Sequence, residues 1–486
     1  MDVYILIAAT ITISITLWVT APALRYRRTI LGYFWGDKTL EPKLGAHLLW
    51  SGSLSINGLF YHTWLGYQVG IYSLFIQIIW VCGFFLLIPF LVKGRLKQLV
   101  AENTLHGNIG TKYGRRVQLL AIAASILTFI TLSAWEMSVF EGFVTSGIGS
   151  DTQFVWGVPV FALLVAFTYT IRGGLIFNSR VNAVFGRFTF LVLGIAAILL
   201  VVQHGWSYYF SSAVFKWDWA ILGMTIGWLG LISNALFSLF WQTSEMSTWQ
   251  NLTAVSGHQG GIKKSLISGA LRIAIVPGLI GTIFGMSLAM TKGVNDSNVL
   301  IKVIELFSNL SPWAYAVLVV ALLVAFFAAT LSTLDGQLLA SAKAIVFDAA
   351  KERNAREFLL SNRTDSGNDE RLFRISDVVM VVIAIIICAV TYAFHAGALS
   401  LFDMVYVAVI GQISLVLPTL FMLSGLERYY RGFMGILLGL IAGGVTIILN
   451  VMQVPTIMGI DSWLNIAPIV SLLFGLLAIR IRRSKS

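Results

Sequence analysis

Inside an otherwise apolar stretch, residues 47–69, the chain reads Ser51-Gly52-Ser53-Leu54-Ser55-Ile56-Asn57-Gly58. Glycine and serine weaken a helix at this point, because glycine loses the most backbone freedom on ordering and the serine hydroxyls compete for backbone partners. A second polar run, Trp241-Gln242-Thr243-Ser244-Glu245-Met246-Ser247-Thr248, ends the apolar stretch 219–241. In lipid an unpaired backbone group finds no water, so such breaks are tolerated only where they are buried in protein or line a cavity.

The surrounding sequence places both breaks in a membrane protein. With 57% hydrophobic and 11% charged residues, 486 residues do not make a conventional water-soluble fold. A helix needs about 20 apolar residues to cross a hydrocarbon core. Such stretches fall near residues 3–22, 47–69, 71–93, 116–145, 154–171, 186–203, 219–241, 266–290, 313–346, 376–395, 401–424, 432–453 and 461–480, which predicts thirteen spans. The first has an acidic Asp2 and no basic residue ahead of it, so it reads as an uncleaved span rather than a signal peptide.

The net charge of +11 does not point to nucleic acid, because the Lys and Arg residues sit in short runs between apolar stretches rather than on one polar face. Under the thirteen-span count, 28 of the 33 basic residues fall in segments on one side, and only Lys216, Lys292 and Lys302 on the other. Basic loops stay cytoplasmic, which predicts an amino terminus outside and a carboxyl terminus in the cytoplasm, and a missed span would destroy the separation. The longest polar stretch, 349–377, reads as a solvated cytoplasmic linker, and no segment is left for a soluble domain. Cys82 and Cys388 lie in apolar stretches without metal spacing and are expected to be two buried thiols.

The breaks are five spans apart, the spacing of two inverted five-helix repeats with a site at their interface. The bland alternatives stay open here: a small-residue packing stripe at 51–58, and a helix end in the interface at 241–248. The ninth span carries Ala328-Ala329-Thr330-Leu331-Ser332-Thr333-Leu334-Asp335. The oxygens of Ser332 and Thr333, with carbonyls freed by a facing break, suit a hard monovalent cation, although such hydroxyls commonly bond back to their own helix. Carboxylates are costly within a membrane, which makes Glu136 and Glu245 candidates for solute binding, with Trp135 and Trp241 offering faces to a cationic group. His62 is a candidate proton relay or, more simply, a packed histidine. Gly435, Gly439 and Gly443, four residues apart, let another helix approach closely.

Ala329-x-x-Ser332-Thr333-Leu334-Asp335, followed by Asp348, resembles the signature of the sodium/solute symporter family, which includes proline, pantothenate and sodium/glucose transporters. Tyr169-Thr170-x-x-Gly173-Gly174 is similar to a second family motif, and 252–269 and 426–443 match more loosely. The resemblance covers nearly the whole chain. It implies an all-α integral membrane protein with a leucine-transporter-like 5+5 core: a leading helix at 3–22, the repeats at 47–241 and 266–424 with 219–241 opening the second, and two trailing helices at 432–480. It implies Na+ as coupling ion, held by the carbonyls of Ser53, Ile56 and Ala329 and the hydroxyls of Ser332 and Thr333. It places a small organic solute, with an amino group if a carboxylate is ionised, among Asn57, Gly58, Tyr61, Trp135, Glu136, Trp241, Gln242 and Glu245. The chain departs from proline-type members at Ser55 and Asn182, where they have acidic residues, and at Phe185, where they have Gln, so it reads as a divergent member.

The expectation is therefore cation-coupled symport across the cytoplasmic membrane, with sodium favoured over protons. The alternative is a transporter-like sensor that signals solute binding to a partner, which the lost acidic positions permit and the lack of a kinase or receiver domain after the last span disfavours. No Walker loop, zinc spacing or nucleophile elbow supports an enzyme.

Overall fold

The computed structural model describes residues 2–21, 29–52, 54–148, 157–216, 227–349, 369–396, 401, 404–456 and 462–480. It is nearly all helix, and among the described residues nine helices are long and apolar enough to cross a membrane. Their outward faces carry large apolar side chains such as Leu191, Ile198, Val202, Ile385 and Ile448, as a lipid-facing surface requires.

The leading helix α1 (Asp2–Thr20) packs on α11 (Pro312–Lys343) and α6 (Gly157–His204). Between them in the chain come α2 (Pro42–Ser51), α3 (Ile56–Val69), α4 (Tyr72–Leu86) and α5 (Arg115–Ile148). The later elements are α7 (Trp228–Ser244), α8 (Met246–Ala254), α9 (Gly261–Ile273), α10 (Ile280–Ser287), α12 (Asp369–Ala396), α13 (Met404–Ser414), α14 (Val416–Ser424), α15 (Gly432–Val451) and α16 (Ala467–Leu476). The 48-residue α6 contains two of the sequence-expected spans, separated at Gly174, whose φ of 55° bends the chain. A side chain there would be strained by that φ, and its Cβ would collide with the Tyr33 carbonyl oxygen.

Both sequence breaks are breaks in the structure. The stretch 47–69 divides into α2 and α3, with Ser55 capping α3 by accepting from the Gly58 backbone N–H at 2.8 Å. The run 241–248 is not a helix end at the surface: α7 stops at Ser244, Glu245 is extended, and the chain continues into a buried α8. Side chains take up the freed carbonyls, as Trp249 Nε1 donates to Thr243 O at 2.9 Å.

The halves of the broken helices pack reciprocally: α2 against α9, α3 against α10, and α7 against α4. The α3–α10 crossing is closest at Gly66 and Gly285. A Cβ on Gly285 would collide with Thr63 O and lie 2.5 Å from Tyr67 N, both backbone atoms that cannot swing away. Gly285→Ala is expected to cost about 1–3 kcal/mol by forcing the pair apart. Thermal unfolding in detergent measures this, and an unchanged midpoint would contradict the crossing.

Two expectations need correction. Cys82 is exposed on the outer face of α4 rather than buried, while Cys388 is half-buried, because the outward face of a membrane helix is itself apolar. The polar stretch 349–377 is not all linker: residues 350–368 lie outside the described residues, but α12 already begins at Asp369. Its first turns are amphipathic, with Leu372 and Phe373 buried, Phe373 edge-on to Tyr33 at 5.2 Å, and Arg374 paired with Glu370 at 2.7 Å. The start of the expected span 219–241 also lies outside the described residues.

The glycine repeat finds its partner within the chain. A Cβ on Gly443 would meet Ser471 Oγ at 2.5 Å, and α15 packs on both α16 and α13. On the face carrying the basic loops, Glu427 bridges Lys112 at 3.0 Å and Arg95 at 3.4 Å. Burial raises its carboxyl, but a backbone hydrogen bond and these two cations bring it below its ordinary value. Nearby, Asp348 accepts from the Thr104 hydroxyl at 2.7 Å and lies 3.2 Å from His106 Nδ1, while Arg115 donates to the Asp348 and Ala349 carbonyls. This network ties Thr104, His106 and the start of α5 to residues 348–349, just beyond the end of α11.

Candidate solute and cation sites

A cavity with about 700 Å³ of empty space lies between the two breaks. The α2–α3 break contributes Gly52, Ser55, Asn57, Gly58, Tyr61 and His62, and the other contributes Phe237, Ser238, Trp241 and Glu245. α4, α5, α11 and α13 close it with Trp80, Trp135, Thr333 and Val409 among others. Trp80 and Trp241 stack with centroids 5.7 Å apart and an interplanar angle of 28°. An apolar, aromatic chamber with a few convergent polar groups is the usual form of a small-molecule site.

Six of the eight residues expected around a solute line this cavity: Asn57, Gly58, Tyr61, Trp135, Trp241 and Glu245. Their polar atoms are aimed and held. Tyr61 OH donates to Asn234 Oδ1 at 2.7 Å, and Asn234 Nδ2 donates to Tyr406 OH at 2.9 Å, which links α3, α7 and α13. Glu245 accepts from the hydroxyls of Ser247 at 2.7 Å and Thr248 at 2.5 Å. It is the one carboxylate among the lining residues. Asn57 Nδ2 and Trp135 Nε1 are buried donors without a hydrogen-bond partner among the described residues. Buried donors of this kind are costly unless something else satisfies them.

The other two residues lie outside the lining. Glu136 is fully buried behind the first break, where Oε1 accepts from the Ile56 N–H at 2.8 Å and Oε2 from the Asn57 N–H at 3.2 Å. It caps α3 across 80 residues of sequence, because the break leaves the first N–H groups of α3 without partners and their helix dipole favours a carboxyl group. Gln242 is also fully buried, its Oε1 lying 2.9 Å from the Thr248 hydroxyl, so it braces the second break. His62 lines the cavity but is packed, with Nδ1 3.2 Å from Ser73 Oγ. Trp80 and Gln77 join the lining without any signal in the sequence, since their stretch is unbroken and apolar, and Phe237 joins it from the apolar part of α7, where nothing marks an inward face.

The proposed cation ligands sit at the edge of this cavity. The Ser332 and Thr333 hydroxyls both donate to Ala329 O, at 2.9 and 3.2 Å, so they do bond back to their own helix. Ser332 Oγ also lies 3.4 Å from Ser51 O, the carbonyl at the end of α2. Each hydroxyl keeps lone pairs free, and the set of two hydroxyls and two carbonyls is all oxygen without a full negative charge. That chemistry fits a monovalent hard cation. Ser53 lies outside the described residues, and Ile56 is held through its N–H by Glu136. Asp335, which ends the motif that begins at Ala329, is fully buried and accepts from Tyr169 OH at 2.8 Å, so the two short motifs of the chain meet in space.

No family model and no curated protein matches the sequence. Solved structures do. A substrate-bound, outward-open structure of a Na+-coupled sialic acid symporter superposes with a TM-score of 0.70 at 15% identity, covering 98% of this chain and 96% of that one. Mhp1, a nucleobase-cation-symport-1 family transporter, in a closed conformation with bromovinylhydantoin, gives 0.50 at 13% identity, with coverage of 91% and 93%. MhsT in complex with L-phenylalanine gives 0.50 at 15%, with coverage of 93% and 99%. The chain has the leucine-transporter-like fold of a multi-pass membrane protein. At these identities the likeness is one of fold.

Proposed function

We propose that this protein is a secondary active transporter that couples the entry of a cation, Na+ in our reading, to that of a small organic solute by alternating access. The observation that carries the reading is the meeting of Ser332 with the carbonyl end of α2, next to Thr333 in the lining of a cavity that both broken helices border. A cation there bridges α11 and the first break, the element that must shift when access alternates. Its binding stabilises one arrangement of the break and thereby raises affinity for the solute, as linkage requires. The likeness in fold to a Na+-coupled sialic acid symporter supports Na+ as the ion.

In this proposal the chain crosses the cytoplasmic membrane thirteen times, with its amino terminus outside. A leading helix at 3–22 precedes the core at 47–241 and 266–424, and two helices at 432–480 follow it. The test is solute flux into sealed proteoliposomes with and without an inward sodium gradient. Gradient-dependent accumulation is expected, whereas saturable solute binding without flux would point instead to a sensor.

Glu245 sets the solute class. As the one lining carboxylate, in a lining that also holds Trp241 and Trp135, it favours a solute carrying an amino or other cationic group. Glu245→Gln is expected to weaken a cationic solute about tenfold or more while leaving neutral analogues within about threefold. Competition against a labelled amino compound measures it, and equal losses for both solute types would remove the assignment.

A further inference from the structure

A second, larger groove opens away from the central cavity, on the outer surface between α2, α6 and α9, with about 1600 Å³ of open space. Four cations from the three helices line it: Lys43, Arg187, Lys264 and Arg272. No carboxylate lines it, and none of the four is paired with one among the described residues. Beside the cations the lining is apolar, and Leu191, Leu271 and Ile275 are exposed at 60%, 56% and 39%, on the face that meets lipid.

The cations are not only a solvated fringe. Arg272 Nη1 is buried without a hydrogen-bond partner among the described residues, and its guanidinium lies over the Trp50 ring at 5.9 Å. Trp50 is itself fixed, donating through Nε1 to Val276 O at 3.2 Å, so the guanidinium is held in place. A charged donor left unsatisfied in a groove of like charges is costly unless an anion completes it.

We propose that this groove binds the headgroup of an anionic phospholipid. The phosphodiester meets Arg272 and Arg187, with Lys43 and Lys264 at the rim, and one acyl chain runs along Leu191, Leu271 and Ile275. Basic pockets between membrane helices recognise such headgroups, and here the cations share a groove with exposed apolar side chains, which supplies both a charged and an apolar part for one lipid. The occupant touches α2, the first half of a broken helix, and α9, whose Ile273 lines the central cavity next to Arg272. The site is independent of the solute and of the coupling ion.

The test uses the full-length protein in neutral detergent, exchanged with mixed micelles of phosphatidylglycerol and phosphatidylcholine, and the co-purifying lipid is quantified by mass spectrometry. The parent is expected to retain phosphatidylglycerol selectively. Arg187→Gln with Lys264→Gln, both exposed, lowers that selectivity about fivefold per cation removed, as does Arg272→Gln. Unchanged selectivity in the folded exposed pair overturns the proposal. Inorganic phosphate is titrated separately by thermal shift. No saturable stabilisation is expected, and one that equals that of phosphatidylglycerol and vanishes in the same variants would make this a free-phosphate site and overturn the lipid assignment.

Discussion

Glu136→Ala is expected to destabilise the folded protein by about 4 kcal/mol, more than Gly285→Ala does at the closest helix crossing. The carboxyl group accepts from two backbone N–H groups at the start of α3, and both are deep in the protein. Deleting it leaves two buried donors unsatisfied, each worth roughly 1–3 kcal/mol, and exposes a helix dipole to an apolar surrounding. Glu136→Gln keeps one acceptor oxygen and is expected to lose about half as much. Thermal unfolding in detergent compares the two. Equal, negligible shifts would show that Glu136 does not hold the break, and a selective loss of cationic solute affinity at unchanged stability would return it to the solute site.

Glu136 also marks the limit of what a sequence carries. A carboxylate in an apolar stretch announces that something must satisfy it, and so Glu136 and Glu245 stand out together. Which neighbour does so depends on the packing of α5 against α3, and no local pattern encodes it. Glu245 lies within its own break and faces the cavity, whereas Glu136 turns to a break 80 residues away.

The breaks themselves are legible because Gly52, Ser55 and the run 241–248 violate helix chemistry where lipid demands it be obeyed. Their spacing carries the repeat as well. Two spans fused at Gly174, an exposed Cys82 and a helical start at Asp369 are not legible, for one reason in each case. Gly174 has a helical neighbour on either side, lipid-facing and buried apolar residues look alike in composition, and the amphipathic turn at 369–374 reads as polar when counted rather than projected on a helix. The meeting of Tyr169 with Asp335, and of Asp348 with His106 and Thr104, joins residues more than 160 positions apart and becomes visible only with the fold.

The second large effect concerns the ion. Ser332→Ala with Thr333→Ala removes both hydroxyl oxygens of the candidate set, of which Ser332 Oγ faces the end of α2, and leaves only carbonyls. Each hydroxyl is bonded within its own helix, so the structural cost is small, below about 1 kcal/mol. Each lost ligand is expected to cost about tenfold in cation affinity, on the order of a hundredfold in the double variant. A defect confined to sodium, in a protein of unchanged stability, distinguishes a coupling site from a packing contact.

The most direct measurement is therefore sodium-gradient-driven solute uptake into proteoliposomes, compared between the parent and the Ser332→Ala, Thr333→Ala double variant at matched protein content. The parent is expected to accumulate solute only with an inward sodium gradient, and the double variant to need on the order of a hundredfold more sodium for the same rate. Uptake in the variant with the parent's sodium dependence would contradict the proposed coupling site.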